Sequence, residues 1–336
     1  MKKFSFFAGL VGMLASVLST PVSAVEPFGS NWSFCNDCSI LDGKFTVGAD
    51  WLYWQIDNCN SDFAVRSSLG TFGRGHVKRP RSDYNSGFRV RLGYELPCDC
   101  WEAGITYTNI PSDSRRVRDR ARSGSSIITL EDTFGLPFDV DGLRAKWERD
   151  LSYLDLDFAR NFCVGECFTF RPHIGPRFFW FDHKVRLRAD VAALSAVEAR
   201  ARIKDKLNGY GVQGGFWGDW KVGAGLSVVG HVGGSVLYTR FRKHVRSGAS
   251  ESSLSSSGSN SAAAIAGFDL RDRFWCAVPS FDYFLGLQYA DCFCDMSVTA
   301  RIGWEQHIWL DANQIFLSRN GNISTQGLTL GLDVVF

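Results

Sequence analysis

Apolar and polar residues alternate with a period of two along much of this chain. Between residues 87 and 96, Phe88, Val90 and Leu92 are separated by Arg89 and Arg91. Successive side chains of a β-strand point to opposite faces, so this alternation predicts a strand with one apolar face. The pattern recurs in segments 101–108, 168–178, 281–289, 298–305 and 328–336.

The length of these segments indicates where such strands lie. The predicted strands that contain these segments run for about 10 to 16 residues, whereas strands of soluble domains are mostly 5–6 residues long and a membrane strand needs about 9–11. A soluble antiparallel sandwich would show the same alternation. Aromatic residues near the segment ends favour a membrane barrel, in which they form girdles at the two interfaces. They are Trp51, Tyr53, Trp101, Trp180, Tyr238 and Trp304.

The order of the segments predicts an all-β fold, an antiparallel transmembrane β-barrel of about 10 strands, with a range of 8–14. The predicted strands are 44–56, 85–97, 100–111, 146–162, 167–182, 208–218, 221–241, 276–290, 295–310 and 325–336. Connections after even-numbered strands are short and those after odd-numbered strands are long. Short periplasmic turns and long extracellular loops are typical of outer-membrane barrels. The sheet must close, because lipid cannot hydrogen-bond an exposed strand edge.

The N-terminal residues predict export. Lys2 and Lys3 precede an apolar run from Phe4 to Leu18, and Val22-Ser23-Ala24 fits a signal-peptidase site. An uncleaved anchor helix is the alternative. We therefore divide the chain into a signal peptide (1–24), a periplasmic N-terminal segment (25–43) and an outer-membrane barrel (44–336).

Composition narrows the class of protein further. The chain has 336 residues, of which 37 are Lys or Arg and 35 are Asp or Glu, so neither a strongly basic nucleic-acid binder nor an acidic disordered protein fits. Beyond the N-terminus no apolar run approaches the roughly 18 residues of a membrane helix. We expect no cofactor and no nucleic-acid partner.

Five motifs in a fixed order resemble the Legionella-type major outer membrane proteins. They lie at Gly48–Trp54, Gly87–Tyr94, Leu154–Asp157, Arg171–Arg177 and Gln326–Leu332. The resemblance extends over residues 44–336 and implies a pore-forming barrel of a family that also has cysteine-rich forms in chlamydia-like bacteria. It implies no catalytic residues.

Most of the ten cysteines fall where the predicted topology places the periplasm. They are candidates for disulfides within the barrel or between neighbouring proteins, because an exported chain meets oxidising conditions. These candidates are Cys35, Cys38, Cys98, Cys100, Cys163, Cys167, Cys292 and Cys294, whereas Cys59 and Cys276 lie near the opposite side. The Cys35-x-x-Cys38 spacing also fits zinc, but no second pair or nearby His completes four ligands, so we expect no metal.

The polar faces of the strands predict the lining of the lumen. The candidates are Arg89, Arg91, Glu95, Glu102, Asp155, Asp157, Arg171, His173, Arg177, Asp282, Arg301, Glu305 and Asp333. Interspersed signs predict a channel of modest charge selectivity. Alternatively these residues pair and fill the lumen, since small barrels are packed with side chains. The segment Lys184–Lys206, with its Ala-rich centre Val191–Ala201, is predicted to form a short helix that folds inward or lies outside.

Three functions remain to be weighed. The first is an outer-membrane porin that passes small hydrophilic solutes or ions and contributes to the envelope. The alternative is a disulfide-crosslinked structural protein or adhesin without an open pore. An enzyme is not expected, because the six His residues are in no nucleophile motif and G-x-S-x-G is absent.

The expected partners follow from this location. They are the lipid bilayer and lipopolysaccharide, the barrel-assembly machinery, which would recognise the terminal Phe336, and disulfide-linked neighbours or further copies of the chain. The basic run Arg115–Arg122 is predicted to be extracellular, where it would attract anionic lipopolysaccharide or host glycans or simply form a solvated loop.

Overall fold

The fold consists of ten long antiparallel strands. The computed structural model describes residues 32–33, 43–68, 75–79, 82–96, 101–113, 117–120, 125–129, 139–165, 167–191, 197–251, 268–293, 296–316 and 319–336. The predicted signal peptide lies outside these residues. The strands are β1 (Lys44–Asn58), β2 (Tyr84–Glu95), β3 (Trp101–Asp113), β4 (Asp139–Arg160), β5 (Phe168–Val191), β6 (Val197–Gly223), β7 (Leu226–Glu251), β8 (Phe268–Phe293), β9 (Met296–Phe316) and β10 (Arg319–Val335). Within the described residues, no helix is long and apolar enough to cross a membrane.

The sheet closes on itself. Each strand pairs with the next in chain order, and β10 pairs with β1 from Ile323 opposite Asn58 to Val335 opposite Thr46. At the end of this seam, the backbone N–H and C=O groups of Phe45 and Phe336 exchange hydrogen bonds of 2.8 and 2.9 Å. Closure leaves no unpaired strand edge among the ten strands. The prediction of a ten-stranded antiparallel barrel is confirmed.

The strands are strongly tilted. We start at Trp275 on β8 and move from each residue to the one paired with it on the neighbouring strand. One full circuit of the barrel returns to β8 at Leu287, twelve residues further along the strand. With a rise of about 3.3 Å per residue and about 4.8 Å between strands, this stagger gives a tilt of roughly 40°.

One sequence-based expectation is wrong. The described parts of the segment Lys184–Lys206 form no helix: they continue β5 and β6 as an antiparallel pair, with Lys184 opposite Lys204 and Arg188 opposite Arg200. The connection between these two strands is residues 192–196, and that between β9 and β10 is 317–318, so both are shorter than predicted. These connections are short because the strands that they join are longer than predicted. The strands continue far beyond the 9–11 residues that a bilayer requires.

The two ends of the barrel differ. At one end the connections are short, and the turn at Ala224 and Gly225 joins β6 to β7 with φ values of 51° and 76°. Two central residues at positive φ match the twist of a tight hairpin. At the other end four short strands add to the sheet: Ala64–Ser68, Gly75–Lys78, Val117–Arg120 and Ser125–Thr129.

The outer wall carries two aromatic girdles. Near the short-turn end these are Phe45, Tyr94, Trp101, Phe168, Trp220, Tyr289 and Phe336, and further up the wall they are Tyr84, Trp180, Tyr210, Tyr238 and Trp275, all of them exposed. Twelve residues separate Phe168 from Trp180 on β5, and ten separate Tyr210 from Trp220 on β6. At the strand tilt this spacing corresponds to about 25–30 Å, close to the height of the apolar band of an outer-membrane barrel.

Candidate functional site: the barrel interior

The interior changes character along the barrel axis. On β1 the inward residues begin with Thr46, Gly48 and Asp50 near the short-turn end and continue with Trp54 and Ile56. Strand parity puts all of these on one face, so polar and apolar groups occupy different heights of the same interior. The lower part is a polar chamber and the part above it is an apolar core.

The polar chamber has a volume of about 370 Å³ and extends to the short-turn end, where Thr46, Thr169 and Asp219 line it. Twelve of the thirteen predicted lumen residues are among its lining residues. They are Arg89, Arg91, Glu102, Asp155, Asp157, Arg171, His173, Arg177, Asp282, Arg301, Glu305 and Asp333. Glu95 is not part of the lining, because it lies near the lower end of β2, opposite Glu102 and Lys44.

One charge cluster is centred on Asp50. Its carboxylate accepts hydrogen bonds from Arg91, at 2.8 Å for the longer contact, and from Arg301 at 3.3 Å. Arg91 also donates to Asp333 at 2.7 Å. The strands that carry these residues, β1, β2, β9 and β10, meet at the closing seam, so the cluster links the first strands of the barrel to the last.

A second cluster crosses the lumen. Arg89 donates to both oxygens of Glu305, at 2.8 and 3.1 Å, and His307 contacts the same carboxylate at 2.9 Å. On the opposite wall Arg177 donates to Asp155 at 2.7 Å and to Asp282 at 3.0 Å. His307 joins the two halves, because its other ring nitrogen lies 3.5 Å from Asp282.

A histidine pair lies lower in the chamber. The Nε2 atoms of His173 and His231 are 2.9 Å apart, and the His231 ring stacks on Trp217 with centroids 4.6 Å apart. His173 also lies 3.3 Å from Asp157, which accepts a hydrogen bond from Gln213. Among the described residues, no group of three His, Cys, Asp or Glu side chains is arranged to hold a metal ion.

Sequence reasoning missed several lining residues: Tyr153, Gln213, Trp217, His231 and His307. Tyr153 has the parity of Asp155 and Asp157 on the same strand, and His307 that of Glu305, so extending the alternation by two residues would have found both. Trp217 and His231 lie on glycine-rich parts of β6 and β7, where alternation between side chains is weak.

Immediately above the chamber, nine of the ten strands contribute to a cluster that we call the apolar section. It consists of Leu52, Trp54, Ile56, Ile110, Leu151, Phe179, Phe181, Leu207, Leu237, Phe241, Val278, Trp309, Ala312 and Ile323, each at most 1% exposed. Phe179 and Trp309 meet near the axis with ring centroids 5.2 Å apart. None of these residues lines the chamber. The described part of the lumen is therefore closed above Tyr153 and His307.

A further apolar cluster fills the barrel toward the long-loop end. It contains Phe63, Ile127, Leu143, Trp147 and Val185, among other buried residues. Two of these, Phe63 and Ile127, come from the connections between strands, so the segments after β1 and β3 help to fill this end. The closure of the barrel thus extends well above the aromatic girdle.

Only part of the cysteine prediction falls within the described residues. Cys163 is disulfide-bonded. Cys167 and Cys292 are free exposed thiols in this single chain, as is Cys59, and Cys276 is also free. Disulfides of Cys167 and Cys292 with neighbouring proteins remain a prediction. Cys35, Cys38, Cys98, Cys100 and Cys294 lie outside the described residues.

A closed ten-stranded cylinder whose exposed apolar wall is bounded by aromatic girdles defines an outer-membrane β-barrel. The chain belongs to the family described as Legionella pneumophila major outer membrane protein precursor, whose profile matches residues 39–336. The family inferred from the sequence motifs is confirmed.

Solved structures of other outer-membrane proteins are similar to this chain. A major outer membrane protein from Thermus thermophilus is 12% identical, with 88% of this chain and 99% of that chain covered and a TM-score of 0.36. The outer membrane protease OmpT from Escherichia coli is 8% identical over 91% and 99%, with a TM-score of 0.43. The Pseudomonas putida toluene transporter TodX is 8% identical over 87% and 89%, with a TM-score of 0.34. No curated protein matches the chain.

Proposed function

We propose that the protein is a structural barrel of the outer membrane whose lumen is sealed in the resting state. The apolar section carries this proposal, since passive diffusion needs a continuous water-filled path and Trp54, Phe179 and Trp309 are fully buried across the axis. The charged groups below it favour the same role, because they pair with one another across the lumen. We assign no catalytic activity to the chain.

Cross-linking through cysteines would suit this role. Cys167 and Cys292 are exposed thiols near the short-turn end, where a neighbouring protein could reach them. If they join neighbours, non-reducing gels of envelope fractions will show oligomers that reductant converts to monomers. A monomer that reductant does not affect would remove cross-linking from the proposal and leave the sealed barrel intact.

Porin-like diffusion is the second candidate. The family and the polar chamber of about 370 Å³, lined by charges of both signs, support it. In this case the apolar section would have to move aside, and small solutes would then pass with modest charge selectivity.

A solute-swelling assay separates the two candidates. Liposomes that contain the folded protein are placed in an isotonic solution of a small neutral sugar. A sealed barrel gives the same swelling rate as protein-free liposomes. Swelling that increases with the amount of folded protein would favour the porin and overturn the proposal. Heat-modifiable mobility on gels verifies in each sample that the barrel is folded.

A further inference from the structure

The outer wall of β5 to β8 becomes strongly basic just above the upper aromatic girdle. At these heights the outward positions alternate with the buried ones, so the side chains point away from the barrel. We call this surface the basic wall and define it by Lys184, Arg186, Arg202, Lys204, Lys206, Arg240, Arg242 and Arg273.

Cations face cations across the strands of the basic wall. Lys184 lies directly opposite Lys204, and Arg186 lies opposite Arg202. In another row Arg242 is flanked by Lys206 on one side and by Arg273 on the other. Like charges at opposed positions of neighbouring strands destabilise a sheet. A row of three cations therefore lowers the stability of the bare barrel unless anions come between them.

The protein itself supplies few of those anions. Lys206 pairs with Asp182 at 2.9 Å, and Arg186 lies 3.7 Å from Glu148. In contrast, the six other members of the basic wall have no ion-pair partner within 4.0 Å among the residues that the structure describes: Lys184, Arg202, Lys204, Arg240, Arg242 and Arg273. The wall therefore has cationic groups available for a ligand.

The height of the basic wall points to the headgroup layer. Arg240 and Arg242 are two and four residues above Tyr238 on β7, and Lys206 and Lys204 are four and six residues above Tyr210 on β6. At the strand tilt these separations correspond to roughly 5–15 Å above the girdle. Aromatic girdles mark the membrane interface, so the cations lie level with the polar groups of the outer leaflet.

The opposite side of the barrel lacks this feature. On β1 the outward positions from Val47 to Asp57 hold no Lys or Arg, and the same is true of β10 from Asn322 to Leu332. On β1 and β10 the outer wall therefore has no counterpart of the basic wall. Positive charge concentrated on part of the wall is typical of a binding site. Charge that served only to keep the barrel soluble would be spread around the whole circumference.

We propose that the basic wall binds the phosphate groups of lipopolysaccharide in the outer leaflet. Arginine forks and lysine ammonium groups form strong charge-assisted hydrogen bonds with phosphate. A glycolipid with two or more phosphates bridges several strands at once, while its acyl chains contact the apolar wall below. This inference needs the barrel to lie in the outer membrane, but it does not depend on whether the lumen conducts.

The test measures binding of bisphosphorylated lipid A to the folded full-length protein in detergent micelles. The variant Arg202→Gln/Lys204→Gln/Arg242→Gln/Arg273→Gln removes four of the six unpaired cations. Its control, Lys44→Gln/Arg79→Gln/Lys221→Gln, removes three exposed cations elsewhere on the chain. We expect the wall variant to bind about tenfold more weakly or worse, which corresponds to roughly 1.4 kcal/mol, and the control to bind as the wild type does.

Two further arms use the wild-type protein and do not require the variant to fold. Removing both phosphates from lipid A should abolish the tight binding, and high salt should weaken it, since exposed charges are screened. Vesicles of phosphatidylglycerol distinguish glycolipid phosphate from phosphate of any lipid, and binding that is equal in strength would overturn the assignment to lipopolysaccharide.

Other results would contradict the proposal directly. Equal affinity of the wall variant and the wild type for lipid A would overturn it, as would undiminished binding of dephosphorylated lipid A. If the variant lost binding of a sulfated polysaccharide but kept that of lipid A, the wall would be a glycan-binding surface instead. The proposal also predicts that, without lipid A, the wall variant unfolds at a higher urea concentration than the wild type does, because cross-strand repulsion is removed.

Discussion

The guanidinium of Arg89 donates a hydrogen bond of 3.0 Å to the hydroxyl oxygen of Tyr153, and this contact lies at the boundary between the two halves of the lumen. Below it Arg89 pairs with Glu305 in the polar chamber. Above it the Tyr153 ring packs near Trp309, with centroids 6.3 Å apart. Tyr153 thus joins the charge network to the apolar section, because it has a polar end and an apolar ring.

The first prediction concerns the charge network. Arg177 is buried and serves both Asp155 and Asp282, so Arg177→Met leaves two buried carboxylates without their cation. Breaking a buried ion pair from one side costs about 3–5 kcal/mol. We expect the free energy of unfolding in micelles to fall by that amount, as measured by urea titration followed through tryptophan fluorescence.

A surface ion pair provides the control. Arg79 pairs with Asp62 but its side chain is 70% exposed, so Arg79→Met should change the free energy of unfolding by less than about 1 kcal/mol. Similar losses for the Arg177 and Arg79 variants would show that the chamber charges are hydrated rather than structural.

The second prediction concerns sidedness. Cys59 is an exposed thiol near the long-loop end, whereas Cys292 is exposed near the short-turn end. In cells that display the folded protein, a membrane-impermeant maleimide should therefore label a variant that keeps only Cys59 and spare one that keeps only Cys292. Permeabilised cells should show labelling of both. The reverse pattern would mean that the barrel is inserted the other way up.

The third prediction concerns assembly. Phe336 is 56% exposed, its backbone pairs with Phe45, and the two rings stack with centroids 6.2 Å apart. If the assembly machinery reads this residue, Phe336→Ala will lower the amount of heat-modifiable barrel in cells while purified protein refolds to nearly the wild-type yield. Loss in both settings would indicate a structural role at the seam instead.

The strands and the charged lining of the chamber were predictable because both follow from local alternation. Ile174 and Phe178 face outward on β5, whereas His173 and Arg177 face inward, as their parity requires. The sealed upper lumen was not predicted. Further along β5 the parity is unchanged, but Arg186 and Arg188 now face outward and Val185 and Leu187 face inward.

This reversal has a simple physical cause. Within the hydrocarbon layer the apolar face of a strand meets lipid tails. Above that layer the outside meets headgroups and water, and the apolar side chains are those that face the interior. The alternation itself is the same in both zones. The sequence pattern alone does not show at which residue the outside of a strand changes from lipid to a polar environment. For this reason the charged parts of β5 and β6 were predicted to be a connection rather than strands.

The account as a whole depends on the apolar section. Trp54→Ala/Phe179→Ala removes two fully buried rings, at a cost of about 3–5 kcal/mol for each, and should open a path through the barrel if the variant still folds. The control Trp51→Ala removes a ring of the same type from the lipid-facing side of β1, where it lines no lumen.

Conductance in planar bilayers tests this claim most directly. For the folded wild-type protein and for Trp51→Ala the account predicts no stepwise current, and for Trp54→Ala/Phe179→Ala it predicts discrete steps. Regular steps from the folded wild type at low voltage would contradict it, since ions would then be crossing a section that the structure shows as closed.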